Sequence, residues 1–248
     1  MKRGIEWQAA VLSAIRQETP RVKTFTFTLP NWTPHRAGQH YDIRLTAPDG
    51  YQAQRSYSVA SEPERVGEID LTVELVEGGE VSTFLHEGQT VGDLLEMRGP
   101  IGGYFVWEAA QGGPLLLIGG GSGMVPLMAM LRHRAAERSN VPTRLLYSVR
   151  TPVDVIYAAE LDELVQASPD LKVLFTYTRA KPQGWGGYAR RIDQAMLGEV
   201  MAPLGSMPRA YICGPTLLVE SVATLLSQSG LPRDLIRTER FGPSGGPA

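Results

Sequence analysis

The sequence predicts a small antiparallel barrel or sandwich followed by a doubly wound α/β domain. Three observations carry this. Apolar residues alternate with period two as far as residue 108. From residue 109 apolar strands alternate with helical stretches. Between them, Trp107–Gly113 contains paired glycines. The predicted domains are therefore 1–108 and 109–241, with a Gly/Pro-rich tail at 242–248.

In the first domain Phe25, Phe27 and Leu29 fall on one face of VKTFTFTL, and Thr24, Thr26 and Thr28 on the other. Tyr41, Ile43 and Leu45 alternate with polar residues, as do Ile69, Leu71, Val73 and Leu75. Pro30, Pro34, Gly38, Asp49-Gly50 and Gly78-Gly79 supply turns. In the second domain LLLI leads into MVPLMAMLRHRAAE, and RLLYSV into YAAELDELVQA. LKVLFTYT then leads into RIDQAMLGEV, and AYIC into TLLVESVATLLSQ, with DLIRTERF as a closing strand. Such βαβ crossovers imply a parallel sheet.

Composition narrows the chemistry. Of 248 residues, 43% are hydrophobic and 20% charged, as in a packed globular protein. A net charge of −2 argues against coating nucleic acid. The single cysteine, Cys213, excludes an internal disulfide and any Cys-ligated iron–sulfur cluster within these residues. His35, His40, His86 and His133 lack metal-ligand spacing, so no metal is expected. Neither a signal peptide nor a membrane-length apolar run is visible, and a cytoplasmic enzyme is the expectation.

Pro114–Leu131 reads PLLLIGGGSGMVPLMAML: a strand, a glycine turn, then a helix. Such a turn presents bare N–H groups to a phosphate. It equally suits close packing of helix on strand. Gly119 and Gly121 fit the first two positions of G-x-G-x-x-G, but Met124 stands at the third. No Lys-Ser/Thr follows, so this is not a P-loop. No acid closes the next strand, which ends Ser148-Val149-Arg150. Pro126 fits the first helical turn. No G-x-S-x-G nucleophile elbow is present.

Arg55-Ser56-Tyr57-Ser58 combines a guanidinium for a diphosphate, a ring for stacking and hydroxyls for a heterocycle. An ordinary strand is the competing reading. In a strand Arg55 and Tyr57 share one face and Ser56 and Ser58 the other, so a strand end or bulge is needed for Tyr57 and Ser58 to serve one ligand. Gly78-Gly79-Glu80-Val81-Ser82-Thr83 opens a short helix, as an anion site or as a capped terminus.

Taken in order, these motifs make the chain resemble the ferredoxin–NADP reductase-like flavoenzymes over nearly its whole length. RSYS at 55–58 is similar to the family's flavin motif, and GGEVST at 78–83 to its diphosphate turn. GPIGGYF at 99–105 is similar to the segment closing the barrel, and GGGSGMVP at 119–126 to the pyridine-nucleotide loop. YICGP at 211–215 and ERF at 239–241 are similar to the C-G-P motif and the C-terminal acidic-aromatic element. The resemblance implies a six-stranded FAD-binding barrel followed by an NAD(P)-binding domain, with hydride passed between the two rings at their interface.

By that resemblance Arg55 binds the flavin diphosphate, Tyr57 stacks on the isoalloxazine and Ser58 lies near its N5, with Ser56 in the same motif. Gly79, Val81, Ser82 and Thr83 hold the diphosphate. Gly120, Gly121, Ser122 and Gly123 receive the pyridine nucleotide. Cys213, with Gly214 and Pro215, lies beside the nicotinamide C4, and Glu239 completes the polar contacts with Phe241 nearby. Ser58, Cys213 and Glu239 are the expected catalytic residues. Thr178, Arg179 and Arg191 resemble a 2′-phosphate site, favouring NADPH over NADH. Arg150 is counted with the nucleotide-binding residues. Leu218 replaces a frequent Met, and Arg190 replaces a frequent Gly, which blurs which arginine is the ligand. The tail after Phe241 is expected either to cover the flavin or to be a frayed end.

The function implied is an NAD(P)H-dependent flavoprotein reductase without a fused [2Fe–2S] domain. Electrons would pass to ferredoxin, flavodoxin or an oxygenase component. A reductase of free flavin or small molecules, and a non-autonomous electron-transfer or regulatory subunit, are the alternatives.

Overall fold

The computed structural model describes residues 5–205 and 207–241, so the tail at 242–248 lies outside the described residues. The chain divides into two compact units. One comprises 1–108 with 128–136, the other 109–127 with 137–248.

The first unit is a six-stranded antiparallel sheet in the order β4-β3-β6-β1-β2-β5. Its strands are β1 (Gln8–Thr19), β2 (Val22–Thr28), β3 (His40–Thr46), β4 (Gln52–Ser58), β5 (Glu68–Glu74) and β6 (Leu94–Ile101). A bridge from Val59 to Leu71 joins the two edges and closes the sheet on itself. Phe25, Phe27, Tyr41, Ile43, Ile69, Leu71 and Val73 fill the core, as the alternation predicts. The opposite face of β2 and β5 is not simply solvated. Thr24 hydrogen-bonds Thr72 at 2.7 Å, and Thr26 Oγ1 donates to Asp70 at 2.7 Å. Gly38 has φ +100, and a Cβ there would lie 1.9 Å from the Phe105 carbonyl oxygen, so only glycine fits.

A short helix, α1 (Glu80–Thr83), runs into a wider π turn at Phe84–Gly88. The second unit carries a five-stranded parallel sheet in the order β11-β10-β7-β8-β9. Its strands are β7 (Leu115–Gly120), β8 (Thr143–Val149), β9 (Leu171–Tyr177), β10 (Arg209–Pro215) and β11 (Ile236–Phe241). The helices between them are α2 (Met124–Ala136), α3 (Ala158–Ala167), α4 (Gln194–Met201) and α5 (Thr216–Gln228). Leu116, Ile118, Leu146 and Ile212 pack with Met196, Val200, Val219 and Val222. From β7 the chain winds out to β9, then returns to place β10 on the other side of β7. The carboxyl ends of β7 and β10 thus form the switch point where open α/β sheets hold ligands.

Helix α2 is shared. Residues 124–127 group with the parallel sheet and 128–136 with the barrel. Every residue from Met124 to Leu131 is buried, as befits a helix apolar all round. Among the described residues no helix is long and apolar enough to cross a membrane.

Candidate functional site

In the barrel, β4 carries the RSYS segment and ends at Ser58. Ser58 is buried and its Oγ has no hydrogen-bond partner, an exception in a folded interior. Arg55 is exposed, its Nη1 donating to the Gln54 carbonyl at 2.6 Å. Tyr57 is half-buried against the barrel core. Burial pushes its phenol up to about 12, and the Arg55 charge pulls it part of the way back. The Ser56 hydroxyl is engaged within the sheet: it donates to Asp42 at 2.6 Å, where Arg98 Nε also binds at 3.0 Å. Arg55, Tyr57 and Ser58 therefore remain available to a ligand, while Ser56 ties β4 to β3.

Gly79 is the N-cap of α1, and Gly78 before it has φ +70. Ser82 is buried, with its Oγ accepting from the Val76 N–H at 3.2 Å and donating to the Gly79 carbonyl at 3.1 Å. The Ser82 hydroxyl thus braces the turn from within. Val81 is buried beneath it, and Thr83 N–H bonds back to the Gly79 carbonyl at 2.9 Å. Sequence reasoning overlooked Tyr51, whose hydroxyl donates to Glu80 at 3.0 Å. That contact and the Glu80 charge raise the Tyr51 pKa. Tyr51 follows an Asp-Gly hairpin turn and carries no pattern that marks it.

At the switch point β7 ends in Gly120, and Gly121–Gly123 make a tight 3₁₀ turn into α2, with Pro126 in its first helical turn. The glycines of the loop differ in what surrounds them. Gly121 has φ +54, and a Cβ there would meet open space. Its carbonyl accepts from the Tyr147 hydroxyl at 3.0 Å. Gly123 serves packing instead: a Cβ there would lie 2.2 Å from the Cys213 carbonyl oxygen.

Cys213 pairs in register with Gly119 on one side and Glu239 on the other. Burial pushes its thiol well up, and the neighbouring Glu239 charge adds to this. Burial also raises the Glu239 carboxyl to about 7, and its Oε2 has no partner. Gly214 and Pro215 end β10, with Phe241 in register beside Pro215. A protonated thiol and a carboxyl that titrates near neutrality thus lie on adjacent strands.

The basic residues separate into two kinds. Arg190 is held by Asp193, Nε to Oδ2 at 2.5 Å, and lies over the Tyr188 ring. Arg150, Arg179 and Arg191 are exposed, and no side-chain partner is recorded for them among the described residues. The backbone gathers two of them, since the Arg150 carbonyl accepts from Arg179 N–H at 3.0 Å. Thr178 Oγ1 donates to the Val149 carbonyl at 3.2 Å.

These donor sets fit two nucleotides. On the barrel an exposed guanidinium, a ring and an orphaned hydroxyl suit a flavin diphosphate and ring. At the switch point a glycine turn, an orphaned carboxyl oxygen and free arginines suit a pyridine nucleotide. Comparison with known proteins agrees. Residues 9–106 match the Oxidoreductase FAD-binding domain family, and 117–224 the Oxidoreductase NAD-binding domain family. The chain is 33% identical over 230 residues to the glycine betaine monooxygenase reductase subunit of Chromohalobacter salexigens, covering 91% of this chain and 62% of that one. It is 30% identical over 242 residues to the phenol 2-monooxygenase reductase component DmpP of a Pseudomonas species, covering 96% and 66%. The chain therefore spans about two thirds of the length of these relatives. Among solved structures, the FAD/NAD-binding domain of Vibrio cholerae nitric oxide dioxygenase aligns with a TM-score of 0.84 at 23% identity, covering 95% of this chain and 99% of that one. The Neisseria gonorrhoeae ferredoxin NADP+ reductase aligns at 0.80 and 21%, covering 96% and 99%. With its antiparallel barrel, its parallel sheet and both family matches, the chain belongs to the ferredoxin–NADP reductase-like FAD- and NAD(P)-binding oxidoreductases.

Proposed function

We propose that this chain takes hydride from NADPH onto bound FAD and passes the electrons to a separate acceptor, an oxygenase component ahead of a ferredoxin or flavodoxin. The observation that carries the reading is the pairing of Cys213 and Glu239 in register at the sheet's switch point. Such a pair suits holding a nicotinamide ring rather than nucleophilic attack, because burial keeps the thiol protonated. When bound, the two cofactors supply the hydride and electron chemistry themselves.

The chain's residues bind and orient. Arg55 grips the flavin diphosphate, Tyr57 offers a ring face, and Ser58 gives its spare hydroxyl to the ring. The N–H groups of Glu80, Val81 and Ser82, at the start of α1, add to the diphosphate site, while those of Gly79 and Thr83 are bonded within the turn. Gly120, Gly121, Ser122 and Gly123 offer backbone N–H groups to the pyridine nucleotide. Gly214, Pro215 and Phe241 frame the space beside Cys213. Glu239 holds a proton on its carboxyl below about pH 7. Arg179 and Arg191, with Arg150 and Thr178, form the proposed 2′-phosphate site, and the commitment of Arg190 to Asp193 supports Arg191 as the ligand. The oxygenase acceptor is supported by the relatives, which are reductase components of monooxygenases. We place the protein in the cytoplasm, where NAD(P)H pools reside.

The test begins with heat release and identification of the flavin, then anaerobic titration with NADPH and NADH. FAD is expected, bleached by NADPH with the higher kcat/KM; a ratio of NADPH to NADH below one overturns the nucleotide preference. Arg191→Ala is expected to lower kcat/KM for NADPH by about tenfold, the value of one charge-assisted hydrogen bond, and leave NADH within about twofold. Reduced protein is then mixed with ferredoxin, flavodoxin and an oxygenase component. Reoxidation by none of them would sink the electron-transfer role.

A further inference from the structure

The orphaned hydroxyl of Ser58 sits where the chain leaves the sheet, so something outside the β-ladder must fix it. Beyond Ser58, Val59 N–H bonds the Gln39 carbonyl at 2.9 Å and Ala60 N–H bonds the Asp70 carbonyl at 2.8 Å. The Ala60 carbonyl has no strand partner. It accepts instead from Arg132 Nη1, on the second half of α2, at 2.8 Å. A carbonyl at a strand exit needs such a donor. The Arg132 side chain is only 10% exposed, so this charge-assisted bond is poorly screened.

The guanidinium is itself held. Asp70 Oδ2 lies 4.0 Å from Arg132 Nη1. Arg65 Nη1 and Thr26 Oγ1 fix the other Asp70 oxygen at 2.9 Å and 2.7 Å. The Asp70 N–H donates to Ser61 Oγ at 3.1 Å, and His35 Nε2 meets the Ser61 carbonyl at 3.1 Å. Burial lowers the His35 pKa, so a neutral ring donates from Nε2 to that carbonyl. The chain from Val59 to Ser61 is thus pinned residue by residue, with Arg132 supplying a charged donor to its backbone.

We propose that Arg132 is a positioning residue for Ser58, anchoring the strand exit at the Ala60 carbonyl two residues beyond the hydroxyl. The inference deepens the proposed function, because it rests on Ser58 facing the flavin. The Arg132 bond is one of three that anchor this two-residue exit, with those from the Val59 and Ala60 N–H groups, so its loss loosens the segment that carries Ser58. A misplacement at a reacting ring slows the chemical step without changing any group that touches it.

A double-mutant cycle separates the two readings. Ser58→Ala, Arg132→Gln and the double variant are prepared with FAD bound, and anaerobic flavin reduction is followed at saturating NADPH alongside the flavin absorption spectrum. Each single variant is expected to slow reduction by about tenfold and shift the flavin bands. In the Ser58→Ala background, Arg132→Gln should add less than about twofold. If Ser58→Ala changes neither rate nor spectrum, the Ser58 reading fails and takes the proposal with it. If Ser58→Ala slows reduction but Arg132→Gln does not, or if the two effects multiply, the Arg132 proposal alone is overturned. Should Arg132→Gln fail to retain flavin, Arg132→Lys carries the same cycle. Lysine keeps one donor and loses the planar fork. It is expected to slow reduction about threefold beside Ser58 and not at all beside Ala, and an unchanged rate beside Ser58 overturns the proposal.

Discussion

The two proposed nucleotide sites differ in material. β4 is an edge strand laddered to β3 on one side, and we propose that it offers the side chains of Arg55, Tyr57 and Ser58. At the switch point Ser122 is the one side chain in the turn Gly120–Gly123, and there we propose that the backbone meets the ligand. A side-chain site is altered by deleting groups, whereas a backbone site is altered by adding them.

The largest expected effect comes from adding a single methyl. Gly123→Ala places a Cβ 2.2 Å from the Cys213 carbonyl oxygen, backbone against backbone, with nothing flexible to yield. It is expected to cost about 3 kcal/mol or more, read as a fall in melting temperature. Gly121→Ala, facing open space but with φ +54, should cost about 1 kcal/mol while weakening nucleotide binding. If Gly121→Ala melts lower than Gly123→Ala, the division of labour within the loop is wrong.

Deleting a group is the corresponding test on the barrel. Arg55→Ala is expected to weaken flavin binding about thirtyfold, the loss of a charge-assisted contact worth about 2 kcal/mol. The apoprotein's stability should stay within about 0.5 kcal/mol of wild type, because Arg55 is exposed. Fluorescence titration of flavin into apoprotein reads the first quantity, and urea unfolding the second. Equal flavin affinity would show that β4 does not recognise by side chains.

A third test is a pH dependence. Glu239 has a folded pKa of about 7, above its usual 4.5. The folded chain therefore binds this proton more tightly than the unfolded chain. The contribution is fully present below 4.5 and is lost as pH rises through about 7. Glu239→Gln should lose less stability than wild type between pH 5 and pH 8 in matched urea titrations. Identical pH slopes would place the Glu239 titration elsewhere.

How much could be read beforehand also differs between the sites. The switch point was legible, because strand, glycine turn and helix are adjacent in sequence and the β–α alternation sets the sheet. The pairing of Cys213 with Glu239 needed the motif resemblance, since they lie 26 positions apart in sequence. The barrel was half legible. β2, β3 and β5 alternate cleanly, but β1 is rich in Ala, Gln, Arg and Glu, whose helical preference masks its pairing. Ser56 could not be separated from Ser58, because its partner Asp42 lies on another strand. Nor does periodicity assign half of α2 to the barrel. An apolar run such as LMAML marks a buried helix without saying what buries it.

That shared helix bears on how such proteins recombine. A crossover at residue 108 looks clean in sequence, yet it would graft a foreign helix end onto the barrel, replacing Arg132 and, with it, the His133 ring that meets Glu64 at 2.6 Å. Halves from different ancestors would be compatible only where the incoming helix restores a cation facing Ala60. The inheritable module is thus the barrel together with nine residues of its neighbour's first helix.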